Sequence, residues 1–175
     1  MADMTNEVIK CAVDYAKANN IPKIVVASIT GRALVALKEA WDGEIICVTH
    51  VNGYAKPGEN EFPSDLRKEY EGKGVKFLTT THVLSGAERG ISNMFKGAYP
   101  VEIIAQTLRM LGAGTKVGVE CAVMAMDAGL IGFNEKVISL GGTAKGVDTA
   151  MVVTPNHAQR IFATRIHKIL IKPEL

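Results

Sequence analysis

Val25-Val26-Ala27-Ser28-Ile29-Thr30-Gly31-Arg32-Ala33-Leu34 reads as a strand that passes through a small polar turn into a helix. On the strand side, Lys23–Ala27 is β-branched and apolar; on the helix side, Leu34, Leu37 and Trp41 recur at helical spacing. Ser28, Thr30, Gly31 and Arg32 then lie at the C-terminal end of a strand and over a helix N-terminus. Unpaired backbone N–H groups and the positive end of the helix dipole point there. Two hydroxyls, a glycine that lets backbone come close and one guanidinium make a seat for a phosphate or carboxylate. Ser and Thr also cap helices that bind nothing, so the turn alone admits both readings. It is neither the Walker pattern nor G-x-G-x-x-G, and it names no nucleotide.

The alternation continues in both directions. Thr5 is placed to cap a first helix with the apolar stripe Val8, Ile9, Ala12, Val13 and Ala16, which Asn19, Asn20 and Pro22 end. Residues 44–49 form a continuous apolar strand of the kind a parallel sheet covers on both faces. A polar loop over residues 50–62 contains Asn52, Gly53, Tyr54, Pro57, Gly58 and Asn60; it is long for an α/β connection, as functional loops often are. Pro63 opens a third helix that ends near Gly72 and Gly74, and residues 75–79 form a short strand. Residues 80–97 are assigned to no element. Pro100 opens a helix with Val101, Ile104, Ala105, Leu108 and Leu111 on one face, stopped by Gly112 and Gly114. Residues 117–128 form a nearly all-apolar helix, and strands are expected at 136–140, 150–153 and 167–171, with a short helix at 158–164. No repeat or linker interrupts the pattern. It predicts one domain over residues 1–175, a three-layer α/β/α sandwich with a mainly parallel sheet. Ligands of such sheets sit outside the carboxyl ends of the strands, where the loops at Ser28, His50 and Gly141 all fall.

Composition narrows the function classes. A chain that is 47% hydrophobic and 22% charged is globular, and a net charge of +2 without a Lys/Arg block gives no footprint for nucleic acid. The longest apolar stretches fall short of a membrane span, and the polar, acidic Met1-to-Glu7 stretch is unlike a signal peptide. Cys11, Cys47 and Cys121 are odd in number, far apart and in apolar settings. They read as reduced thiols of a cytoplasmic protein, and neither they nor the four histidines show metal-ligand spacing.

Three constellations carry polar chemistry. Glu120 and Asp127 are the only acids on the apolar helix; seven residues apart, they share a face at roughly 10 Å, too far to share a proton. Either they face a site, with Glu120 on a polar ligand group, or Asp127 satisfies a nearby loop while Glu120 pairs with a lysine or arginine. The run His82-Val83-Leu84-Ser85-Gly86-Ala87-Glu88-Arg89 places an imidazole, a hydroxyl, an acid and a base together. Its spacing matches no nucleophile elbow, and a loop held by its own Glu and Arg competes with a catalytic reading. His50 and His157 follow strands and can reach the ligand edge, whereas His167 lies in a terminal strand pattern. Finally, Gly141, Gly142 and Gly146, with Thr143 and Lys145, form a second Gly-rich polar loop at the same sheet edge, suited either to a ligand or to a tight turn.

The segments Ala27-Ser28-Ile29-Thr30-Gly31-Arg32-Ala33, Ile45-Ile46-Cys47-Val48-Thr49, Val137-Ile138-Ser139-Leu140-Gly141-Gly142 and Thr149 to Val153 resemble the C-terminal domain of pyruvate kinase. From about Thr5 to Pro173 the chain is similar to a stand-alone family of pyruvate-kinase C-terminal-like proteins of archaea and bacteria. Gly58-Glu59-Asn60, His82-x-Leu84-Ser85-Gly86-x-Glu88-Arg89, Val119-Glu120 with Asp127, and Gly141-Gly142-x-x-x-Gly146-x-Asp148-Thr149 carry that likeness. The resemblance implies the fold and an effector-type phosphate pocket at Ser28, Thr30, Gly31 and Arg32, with a second Gly-rich loop beside it. It implies no reaction. Pyruvate kinase chemistry resides in a (β/α)₈ barrel of about 250 residues, so transfer of phosphate to ADP is not expected of this chain.

Two functions follow as expectations. One is a binding domain for a phosphorylated small molecule, such as a sugar phosphate or FMN, with a flat ring lying against Tyr54 and Phe62 and with His50, Asn52, Gly53 and Ser85 nearby. The other is an enzyme using His82, Glu120 or Asp127 as acid–base groups. A homo-oligomer is expected in either case, because Trp41, Met94, Phe95 and Phe133 would be partly exposed in a monomer.

Overall fold

A computed structural model describes residues 3–143 and 146–174. Six strands form one sheet in the order β3-β2-β1-β4-β5-β6. Four of them, β1 (Lys23–Ala27), β2 (Glu44–Val48), β3 (Lys76–Leu78) and β4 (Val137–Gly141), run parallel, while β5 (Thr149–Thr154) and β6 (Arg165–Ile171) add an antiparallel edge. The expected α/β class with a mainly parallel sheet is the observed one.

The layers follow from the alternation of side chains along the central strands. Ile24, Val26, Ile45, Cys47, Ile138 and Leu140 point to one face and pack under α1 (Thr5–Ala18) and α2 (Arg32–Ala40). Val25, Ile46, Val48 and Val137 point to the other and meet Cys121, Met124 and Ala125 of α6 (Ala113–Asp127). On another side of α6, Val119, Ala122 and Val123 cover Met151 and Val153 of β5. Apolar continuity in the sequence is thus the mark of strands buried on both sides. Residues 64–72 form α3 (Ser64–Gly72), whose Tyr70 joins the first core.

Several boundaries differ from the sequence expectation. Thr5 is not a cap but the first residue of α1; the Asp3 carboxylate accepts from its N–H and its hydroxyl, at 3.2 and 2.7 Å. The unassigned stretch holds α4 (Gly86–Phe95), tied to α5 (Pro100–Arg109) by Glu88, which accepts the N–H groups of Val101 and Glu102 at 3.2 and 2.9 Å. Gly114 does not stop a helix; it lies in the first turn of α6, where the absence of a side chain lets that turn press on Asp148 and Thr149. The short segment at Ala158–Ala163 is a 3-10 helix. Trp41 is buried at 7% exposure, unlike Met94, Phe95 and Phe133, which are exposed. Among the described residues no cysteine is in a disulfide, no group of His, Cys, Asp or Glu can hold a metal ion, and no helix is long and apolar enough to cross a membrane.

Candidate functional site

The strand order turns at β1. Its neighbour β2 continues the chain on one side, and β4 arrives from much later on the other. Connections leave such a point in opposite directions, and the sheet opens a crevice beyond the strand ends. Here α2 starts directly after β1, and α6, which leads into β4, also begins at this edge. A cavity of about 640 Å³ fills the crevice. Its wall takes Ser28, Thr30 and Arg32 from the first turn, and His50 and Tyr54 from the loop after β2. It also takes His82, Lys116 and Glu120, and it reaches Gly142, Thr143 and Gly146.

At the head of α2, Gly31 is the N-cap with φ at +91°, a conformation that favours glycine. A β-carbon there would also overlap the Leu66 side chain. The glycine therefore serves the turn and the seating of α3, and its α-carbon is not part of the cavity wall. Ser28 is 5% exposed, and its hydroxyl is a buried polar atom without a hydrogen-bond partner among the described residues. Such groups normally find one. Arg32 is half exposed and donates to Asp3, two residues ahead of α1.

Gly141 and Gly142 also have packing reasons. A β-carbon on Gly141 would fall on the Gly114 carbonyl oxygen and 2.6 Å from the Gly118 nitrogen; one on Gly142 would strike the Gly146 carbonyl. Gly146 alone of the three has a left-handed φ, at +71°. Thr143 donates to Asp148 at 2.5 Å. Lys145 lies outside the described residues.

The rest of the cavity wall is aromatic and ionic. The His50 and Tyr54 rings lie 3.9 Å apart between centroids, and His82 is 5.4 Å from His50 and 5.6 Å from Tyr54. Glu61 holds His50 Nδ1 at 2.7 Å, and Asn60 donates to the His50 carbonyl at 2.8 Å, which fixes the base of the loop. The Val51 N–H donates to His82 Nε2 at 3.4 Å. Burial holds the His82 pKa below the ordinary histidine value; the nearby Glu120 charge opposes this, while His50 and Lys116 reinforce it. Lys116 and Glu120 are 5% and 4% exposed and pair at 2.5 Å; the second Glu120 oxygen accepts the Leu84 N–H at 2.8 Å.

Other sequence candidates fall elsewhere. Asp127 sits at the far end of α6, where it accepts from His157 Nδ1 at 2.8 Å and from the Ala158 N–H, so it satisfies a loop. Asn52 accepts from Asn60, and Asn52, Gly53 and Ser85 are not on the cavity wall. Phe62 is core, packed edge-on to Phe77 at 5.2 Å, so Tyr54 alone of the two expected aromatics borders the cavity. His167 bonds Thr154 in the edge hairpin. Lys116, Arg109 and Glu61 line the cavity without having been singled out from sequence. The sign for Lys116 was its place four residues before Glu120 on a helix otherwise apolar.

Residues 6–153 match the profile of the family described as pyruvate kinase, alpha/beta domain. Solved structures similar to the chain include a pyruvate kinase from Cryptosporidium parvum, at 14% identity and a TM-score of 0.44, with 89% of this chain and 24% of that one covered. A second is Cryptosporidium parvum pyruvate kinase in complex with ADP, at 15% identity and a TM-score of 0.43, with 99% and 24% covered. The chain therefore spans about a quarter of the length of these enzymes.

Proposed function

The chain belongs to the pyruvate kinase alpha/beta domain family, and from that premise we propose that it is a binding domain that captures a phosphorylated small molecule at the β1–α2 turn. The observation that carries the reading is Ser28: it lines the cavity at the head of α2, and its hydroxyl is buried without a partner among the described residues. A phosphate oxygen would supply its missing partner. Thr30 and Arg32 border the same cavity, and the first N–H groups of α2 and its dipole favour an anion there. The volume is that of a small-molecule site, and the His50, Tyr54 and His82 rings offer a surface for a flat ring. These features fit FMN, and Ser28, Thr30 and Arg32 would hold its phosphate. A sugar phosphate satisfies the phosphate end equally.

Arg32→Ala is expected to weaken binding of a phosphorylated ligand roughly 10- to 100-fold, as loss of charge-assisted hydrogen bonds does. Stability should change little, because the side chain is exposed. Calorimetry with FMN, riboflavin and a sugar bisphosphate on both proteins reads the effect. Riboflavin should bind more weakly than FMN and should not respond to the substitution. Equal affinity of both proteins for every phosphorylated binder overturns the phosphate role.

A second reading, an acid–base enzyme, is favoured by His82 and Glu120 sharing one cavity. Turnover lost in His82→Ala with ligand affinity kept would select it. Self-association belongs to either reading and is supported by the exposed Met94, Phe95 and Phe133. Light scattering at micromolar concentration should return a mass above that of one chain; a monomer mass rejects it.

A further inference from the structure

We infer that Lys116 and Glu120 read the part of the ligand other than its phosphate, and that this part is a planar heterocycle with a hydrogen-bond acceptor beside a donor. This rests on the binding reading above. An ammonium and a carboxylate are taken out of water here, at a cost that mutual attraction alone does not cover. Nor does the pair exhaust its own hydrogen bonds. Lys116 has three N–H donors, and its only partner among the described residues is Glu120 Oε2. Glu120 Oε1 accepts one backbone N–H, and each carboxylate oxygen can accept more than one. Spare donors on Lys116 therefore lie beside spare acceptor sites on Glu120, on a cavity wall and on one turn of a rigid helix. The complementary ligand edge has an acceptor for the lysine next to a donor for the glutamate, as in the imide edge of a flavin or a pyrimidine.

The surroundings select a flat ring over a sugar. Val117, Cys121 and Met124 continue the α6 wall as an apolar surface, and the His50–Tyr54–His82 cluster supplies π faces. A sugar carries hydroxyls on both faces and would leave several unpaired against that surface. A heterocycle presents apolar faces and concentrates its polar atoms at one edge, where the buried pair is.

Titrations of FMN, riboflavin and inorganic phosphate against wild type, Arg32→Ala and the double variant Lys116→Met with Glu120→Gln test the assignment. The double variant removes both charges together and should lose about tenfold or more in affinity for FMN and for riboflavin alike, with inorganic phosphate unaffected. Arg32→Ala should show the reverse pattern, weakening FMN and phosphate but not riboflavin. A ligand-side arm needs no altered protein: 3-methyl-FMN, with the imide donor blocked, should bind wild type about tenfold more weakly than FMN. Unchanged FMN affinity in a folded double variant, or equal binding of FMN and its 3-methyl form, overturns the inference and leaves the phosphate seat standing. Wild type that binds a sugar bisphosphate but not FMN overturns the heterocycle in the same way. If no phosphorylated probe binds at all, the binding reading falls and takes this assignment with it.

Discussion

Gly141→Val should lower the unfolding free energy by about 2–3 kcal/mol or more, among the largest effects of any single change in this chain. The residue's φ is not left-handed, so conformational freedom is not the cause. Space is the cause. The last residue of β4 lies so close to the first turns of α6 that an added β-carbon would meet the Gly114 carbonyl and come within 2.6 Å of the Gly118 nitrogen. Those are backbone atoms of a buried helix and cannot swing aside as a side-chain tip can. To admit valine, α6 must lift from the sheet and loosen both cores it covers. Gly72→Ala is the control, since nothing lies within 4 Å of a β-carbon there and alanine suits the end of α3. Denaturant titration of the three proteins reads the difference. A Gly141→Val midpoint equal to wild type would show that the contact is not rigid.

The second large effect is expected from Lys116→Met, at about 3–5 kcal/mol of lost stability. Methionine nearly matches the volume of the lysine stem, so the cost is electrostatic. It leaves the Glu120 carboxylate at 4% exposure with only the Leu84 N–H as a partner among the described residues. Adding Glu120→Gln in the same chain should recover most of the loss, because the stranded charge is then gone. Chemical denaturation of the two single variants and the double variant closes a cycle. If Lys116→Met is as stable as wild type, the pair is not the buried ion pair described above. If the double variant is no better than Lys116→Met, the loss is one of packing.

How much of this was legible in the chain depends on the range of the forces involved. Periodicity reports burial, and Lys23–Ala27, residues 44–48 and residues 137–140 are buried on both faces, so their unbroken apolar runs identified them as strands of a parallel sheet. The Ser28 turn was readable for the same reason, as the joint between two periods. The α4 helix was not, since none of its residues is buried and no core pattern marks it. Glycines misled in a consistent way. Gly31, Gly114 and Gly141 are there because another segment, distant in sequence in each case, occupies the space of a side chain. A single sequence cannot distinguish that from a turn or a ligand approach. The face shared by Glu120 and Asp127 was read from helical spacing, yet α6 ends at Asp127, which serves a loop, while Glu120 serves the cavity.

The Asp3–Arg32 pair gives the proposed anion seat a resident of its own. Under the proposed reading a phosphate that takes Arg32 would not fill a vacancy but evict a carboxylate, and ligand binding at this turn would be an exchange of counter-ions. The evicted group is also what holds the start of α1, through the Thr5 N–H and hydroxyl. Thr5 in turn accepts the Val147 N–H at 3.3 Å, beyond the second Gly-rich loop. Occupancy of the proposed seat would thereby be wired to the opening turn of the first helix and to the approach to β5, and the order of that turn would gauge whether the seat is taken.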